Sequence, residues 1–130
     1  MEVPNDLLYT REHEWVRVKD SKGIVGITDF AQDQLGDVVF VEQPQAGTEL
    51  TKDATFGVVE SVKTVSDLFA PVSGKVTVAN TELEAKPELV NSAPYGDGWI
   101  VEIEITDTKE LDDLLTPEAY TAFIQEQEQD

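Results

Sequence analysis

The sequence contains no cysteine and a single histidine, His13. Disulfides, thiolate-bound zinc, iron–sulfur clusters and thiol nucleophiles are therefore excluded. A histidine-rich metal centre is excluded too, and a Ser-His-Asp triad could form only around His13. Soft nucleophile or redox chemistry would have to come from a group attached to the chain. Positive charge is also scarce. Nine Lys and Arg face 27 Asp and Glu, for a formal net charge of −18. Such a polyanion repels nucleic-acid phosphates and anionic membrane surfaces, and attracts basic protein surfaces. No apolar run approaches a membrane span. The segment Met1-Glu2-Val3-Pro4-Asn5-Asp6 has no basic stretch leading into an apolar one, and it is too acidic for a transit peptide. The expectation is a cytoplasmic monomer that binds neither nucleic acid nor membrane.

A length of 130 residues with 40% hydrophobic content suits one domain with a sizeable core. Its body is expected over about residues 9–105 and a C-terminal helical segment over about 108–127. Short alternating runs separated by turn residues indicate a mainly β chain, a sandwich or barrel. Trp15–Val18 and Ile24–Ile27 read as strands around a turn at Asp20–Gly23. Thr28 or Asp29 can cap a short helix with Phe30, Ala31 and Leu35 on its apolar side, and Gly36 can end it. Val38–Val41 reads as a buried strand. Thr55–Glu60, Thr64–Phe69, Lys75–Ala79 and Trp99–Ile105 read as further strands, the last with one wet face. Glu82–Lys86 suits one helical turn, whereas Pro87–Val90 and Pro94–Gly98 look like loops. Leu111, Leu114 and Leu115 suggest a short helix. Thr116-Pro117-Glu118 then opens a final helix whose Tyr120, Phe123 and Ile124 share a face. Its tail, Gln125–Asp130, is expected to fray. Gly36–Val41 and Gly74–Ala79 are faintly alike, a weak sign of an internal repeat.

The stretch richest in chemical implication is Val58-Val59-Glu60-Ser61-Val62-Lys63-Thr64-Val65-Ser66-Asp67. Two β-rich runs flank a short polar centre, which reads as a hairpin with Lys63 at or near its tip. A lysine held there by a rigid scaffold could be recognised and acylated, and could serve as the fixed base of a swinging arm. Most hairpin-tip lysines only keep strand edges soluble.

Further motifs bear on that choice. Glu60-Ser61-Val62-Lys63, Ser66-Asp67-Leu68 and Pro71-Val72-Ser73-Gly74 resemble the lipoyl-lysine region of glycine cleavage H proteins. Tyr9-Thr10 with His13-Glu14-Trp15-Val16 resembles the opening of that family. Gly26-Ile27-Thr28, Leu35-Gly36-Asp37 and Gly57-Val58-Val59-Glu60 resemble its middle. Pro87-Glu88-Leu89-Val90-Asn91 and Pro94-Tyr95-Gly96-Asp97-Gly98-Trp99 resemble its later part. The likeness runs from about Tyr9 to Ile105. Biotin carriers typically flank the modified lysine with methionines, and lipoyl domains of 2-oxoacid dehydrogenases usually carry Asp-Lys-Ala. Val62 and Thr64 match neither.

The resemblance implies a barrel-sandwich hybrid of two antiparallel sheets, as in lipoyl domains, with a short internal helix and a C-terminal one. It implies a non-catalytic carrier with lipoate joined to Lys63 by an amide. The implied partners are a lipoate-attaching enzyme, a pyridoxal-phosphate glycine decarboxylase, a tetrahydrofolate-dependent aminomethyltransferase and a flavin-containing dihydrolipoamide dehydrogenase. It also implies that the loaded arm folds back on the protein. The cationic amine it carries would then favour a carboxylate, and Glu14 and Asp67 are the candidates.

Other singled-out residues have ordinary readings. His13 and Glu14 could act near the arm or serve local polar packing. Trp15 and Trp99 read as core. Gly96 and Gly98 read as turn glycines, because no helix start follows them. Glu110, Asp112 and Asp113 suit a solvated helix face better than a metal site. The competing functions are a lipoyl carrier or donor in another lipoate-dependent pathway, an unmodified acidic binding module, and a hydrolase built on paired carboxylates.

Overall fold

The computed structural model describes residues 1–129. Two antiparallel sheets form the body, as expected. The strands are β1 (Leu8–Tyr9), β2 (Glu14–Lys19), β3 (Lys22–Ile27), β4 (Val38–Glu42), β5 (Glu49–Leu50), β6 (Thr55–Ser61), β7 (Val65–Phe69), β8 (Gly74–Ala79) and β9 (Val101–Ile105). The larger sheet has the order β1-β2-β3-β9-β8-β5, and the smaller has the order β4-β6-β7. Their inward residues form one apolar core, with Val16, Val25, Ile27, Val76, Val101 and Ile103 from the large sheet and Val41, Val59 and Leu68 from the small one. β9 alternates buried and half-buried positions, the one-wet-face pattern of its sequence.

The helices lie between and beside the strands. Helix α1 (Asp29–Leu35) starts at Thr28, whose side chain accepts from the Ala31 N–H. It ends at Gly36, which has φ +79° and donates to the Gln32 carbonyl. That backbone conformation favours glycine. Helix α2 (Glu82–Ala85) falls where one turn was expected, and α3 (Leu89–Ser92) occupies part of the segment that reads as loop. Residues 108–113 form a 3-10 helix, so Leu114 and Leu115 lie beyond it.

Helix α4 (Pro117–Gln129) continues through most of the polar tail expected to fray. Asp130 lies outside the described residues. Its early turns are held by burial. Tyr120 stacks on Tyr9 at 4.6 Å with the rings nearly parallel, and Ile124 is buried in the same cluster with Leu7, Trp15 and Phe30. Trp15 is fully buried and its indole N–H is shared between the Ile27 and Pro94 carbonyls at 3.0 Å each. A Cβ on Gly26 would stand 2.7 Å from that indole, so only glycine lets the ring lie across β3. Trp99 is half-buried rather than fully internal.

One strand departs from its reading. In β4 only Val38 and Val41 are buried, while Val39 and Phe40 are exposed. A register shift between Val38 and Phe40 breaks the alternation, so two successive apolar residues face outward. Gly36–Val41 and Gly74–Ala79, the faint repeat, end in different sheets.

Candidate functional site

Lys63 lies in the turn of the β6–β7 hairpin, between Ser61 and Val65, and is exposed. The turn is tightly held. The Ser61 N–H donates to the Thr64 carbonyl at 2.8 Å. The buried Ser61 hydroxyl accepts from the Lys63 and Thr64 N–H groups at 3.3 and 3.2 Å, and sits 3.3 Å from the Thr64 carbonyl. The Val62 N–H donates to the Asp37 carbonyl at 3.1 Å, which ties the tip to the loop after α1. A Cβ on Gly36 would come 3.3 Å from the Lys63 Cε, so the lysine stem lies over that glycine. Asn91 secures the same loop from below: its amide donates to the Gly36 carbonyl at 2.8 Å and its oxygen accepts from the Val38 N–H at 2.8 Å. The base of Lys63 is therefore fixed, while its end reaches solvent.

A cleft of about 450 Å³ opens beside this tip, with Thr64 and Val65 at its margin. Ile27, Phe30, Leu35, Val59 and Leu68 supply apolar walls, and His13, Glu14 and Gln127 supply polar groups. Glu14 begins β2 and is only 2% exposed. Its two oxygens accept from the Thr10 hydroxyl at 2.5 Å and the Phe69 N–H at 3.2 Å. Burial pushes its carboxyl up from the ordinary 4.5 to about 7, and the nearby carboxylates Glu12 and Asp53 add to the rise; the two hydrogen bonds oppose it. At neutral pH Glu14 is poised between acid and carboxylate. A cation entering the cleft would favour the carboxylate, and the apolar walls would limit water around the pair.

The residue before it has a structural cause for its place. His13 adopts φ +70°, and its ring meets Phe30 and Phe123. Its Nδ1 lies 2.9 Å from the Tyr120 hydroxyl, which also meets the Thr28 hydroxyl at 2.7 Å. Burial lowers the His13 pKa, against a hydrogen bond to Gln127 that raises it. His13 thus lines the cleft and joins it to α4.

Asp67 also borders the cleft, so the structure brings both candidate carboxylates to its boundary. They differ in setting. Asp67 pairs with Val58, so strand alternation sets it on the face of Val58 and Glu42, opposite Ser66 and Leu68. It is an exposed rim residue, whereas Glu14 is internal. The sequence reading missed the parts played by Ser61, Asn91, Thr10 and Gln127. Ser61 and Asn91 lie inside recognised motifs, but only the folded chain shows what they bind. Of the acids near the C-terminus, Glu110 accepts from Ser73 and Asp113 pairs with Lys52 at 2.8 Å. No group able to hold a metal occurs among the described residues. No helix among them is long and apolar enough to cross a membrane.

The family model described as glycine cleavage H-protein matches residues 7–127. The glycine cleavage system H protein of Symbiobacterium thermophilum is 62% identical over 124 residues, covering 95% of this chain and 97% of that protein. The H protein of Oceanobacillus iheyensis is 60% identical, covering 97% and 100%. The crystal structure of a glycine cleavage system H protein from Mycobacterium marinum aligns with a TM-score of 0.86 at 39% identity, over 92% of this chain and 97% of that one. With the motifs spread from Tyr9 to Trp99, the two-sheet fold and the matches over nearly its full length, the chain belongs to the glycine cleavage H-protein family.

Proposed function

We propose that Lys63 bears the lipoyl arm of this chain, a lipoyl-bearing shuttle of the glycine cleavage system, and that the chain serves as a carrier rather than a catalyst. The observation that carries the assignment is the exposed lysine on a braced hairpin turn, beside a cleft with apolar walls and a buried carboxyl. The residues suit the group. Lys63 offers a reachable amine, the walls of Ile27, Phe30, Leu35, Val59 and Leu68 suit an aliphatic arm, and Glu14 suits a cationic amine at its end. When bound, the lipoyl group supplies the disulfide that a chain without cysteine lacks, and carries the aminomethyl group from a pyridoxal-phosphate decarboxylase to a tetrahydrofolate-dependent aminomethyltransferase before a flavin dehydrogenase restores it.

The chain's own contribution is positional. Ser61 and the Asp37 carbonyl hold the base of the arm, so its sweep starts from one point. Glu14 receives the cationic amine in the cleft, and Asp67 adds negative charge at the rim. Phe30, Leu35 and Leu68 exclude water from the pair. Intact mass and peptide mapping of protein isolated from its host test the assignment. A lipoyl addition should map to Lys63 and vanish in Lys63→Arg, whose guanidinium keeps the charge but is not acylated by the same chemistry. An addition surviving in that variant would refute it.

A further inference from the structure

Glu14 is a buried acid that no cation neutralises. The single ion pair among the described residues joins Lys52 to Asp113. Besides the arm cleft, Glu14 borders a second hollow of about 300 Å³. There Glu12 and Asp53 are acids that oppose its ionisation, and neither Arg11 nor Lys52 pairs with it. On the cleft side Asp67 adds a further negative charge, and burial lowers the His13 pKa, so its ring is neutral at pH 7. Burial raises the phenol pKa of Tyr9 and Tyr120, so both stay uncharged. Only two groups therefore support a charge on Glu14, the Phe69 N–H and the Thr10 hydroxyl. The first belongs to the backbone of β7. The second is a side chain, and its 2.5 Å contact falls in the range of a hydroxyl donating to a carboxylate.

The turn between β1 and β2 fixes Thr10 in that role. Its N–H donates to the Glu14 carbonyl at 2.9 Å, and its carbonyl accepts from the His13 N–H at 3.2 Å. Its Oγ accepts from the N–H groups of Glu12 and Glu14 at 3.2 and 3.1 Å. With two N–H groups directed at that oxygen, donation toward Glu14 is favoured over acceptance from it. A protonated Glu14 would compete for the same oxygen, and a carboxylate does not. The turn therefore favours the charged form of the acid.

We propose that Thr10 is a positioning residue for the loaded arm: its hydroxyl, held by the turn so as to donate to Glu14, lets that buried acid meet the arriving amine as a carboxylate. The inference rests on the reading of Glu14 as the seat of the amine and adds the group that sets its charge. No covalent bond changes in this step. When the cation enters, a Glu14 that still holds its proton releases it, and the second hollow gives that proton a way to solvent while the arm fills the cleft. Without the hydroxyl, Glu14 keeps its proton to higher pH and holds the amine less firmly near neutrality.

The test compares the parent full chain with Thr10→Val, which keeps the side-chain shape, Thr10→Ala and Thr10→Ser. In unmodified protein the Glu14 carboxyl is titrated by carbon NMR. Its midpoint should rise by about one pKa unit, a tenfold change in the ionisation constant, in Thr10→Val and Thr10→Ala, and stay at the parental value in Thr10→Ser. The two variants without a hydroxyl differ in shape, so a fold lost in one leaves the other to be read. In purified loaded protein, ammonia release is followed from pH 5 to 8. Thr10→Val and the parent should release alike at the acid end, where both hold the proton, and their ratio should climb several-fold toward pH 8. A parental midpoint in both hydroxyl-free variants, or a raised one in Thr10→Ser, would overturn the role of Thr10 and leave Glu14 as the seat. So would a release ratio that is raised equally at every pH, the mark of a merely loosened turn. Loaded Glu14→Gln releasing ammonia at the parental rate at pH 8 would overturn the seat itself, and the role of Thr10 with it.

Discussion

Glu14 makes stability depend on pH in an unusual direction. Its carboxyl is buried among the cleft walls, and its pKa rises from 4.5 to about 7 on folding. Below pH 4.5 the group is protonated in both folded and unfolded chains and contributes no difference. Between 4.5 and 7 the unfolded chain releases the proton while the folded chain keeps it. Stability therefore falls as pH rises through that window, and levels off above it. At about 1.36 kcal/mol per pKa step, the full loss is on the order of 3 kcal/mol. Glu14→Gln preserves shape, its oxygen can accept from the Phe69 N–H, and its amide can donate to Thr10 Oγ. The variant has no proton to lose. Urea unfolding followed by tryptophan fluorescence from pH 5 to 8.5 would read the comparison, because Trp15 is fully buried. The variant should gain on the parent steadily as pH rises, approaching on the order of 3 kcal/mol near pH 8. The other carboxylates are common to both chains and drop out of the difference. A difference that stayed constant across the range would refute the raised pKa and the desolvation argument behind it.

Three further outcomes are expected. Glu14→Ala and Asp67→Ala should both accept lipoate on Lys63 yet lose the carried amine faster, read as ammonia release from purified loaded protein; the effect should be greater for Glu14, which is internal, and parental rates in both would leave Lys63 as the sole site residue. Gly36→Ala forces a side chain into φ +79°, so it should lower unfolding free energy by about 1–2 kcal/mol, and unchanged stability would show that the loop relaxes. With a net charge of −18, association with the decarboxylase should weaken as added salt shortens screening to about 8 Å and below, and a salt-independent affinity would assign the charge to solubility.

Periodicity and punctuation in the sequence were enough for most of the framework. Period-two runs located β2, β3, β6, β7, β8 and β9, since alternation reports burial of one face. Thr28, Gly36 and the Thr116-Pro117 pair marked helix ends, because capping is local chemistry. Absence of cysteine set the need for an attached group, and the ordered motifs singled out Lys63. What sequence could not supply is whatever depends on strand pairing or long-range packing. The outward turn of Val39 and Phe40 comes from an irregularity against β6, a property of two strands together. The helix at Leu89–Ser92 serves to bring Asn91 under Gly36, 55 residues away in the chain. Helix α4 persists past its apolar residues after its early turns lock onto Tyr9 and His13. Glu14 and Asp67 are both acids in recognised motifs, and nothing local distinguishes them. Tertiary packing sets one inside the cleft and the other on its rim. Desolvation follows position in the fold, so only the inner acid has its charge made costly and its proton retained.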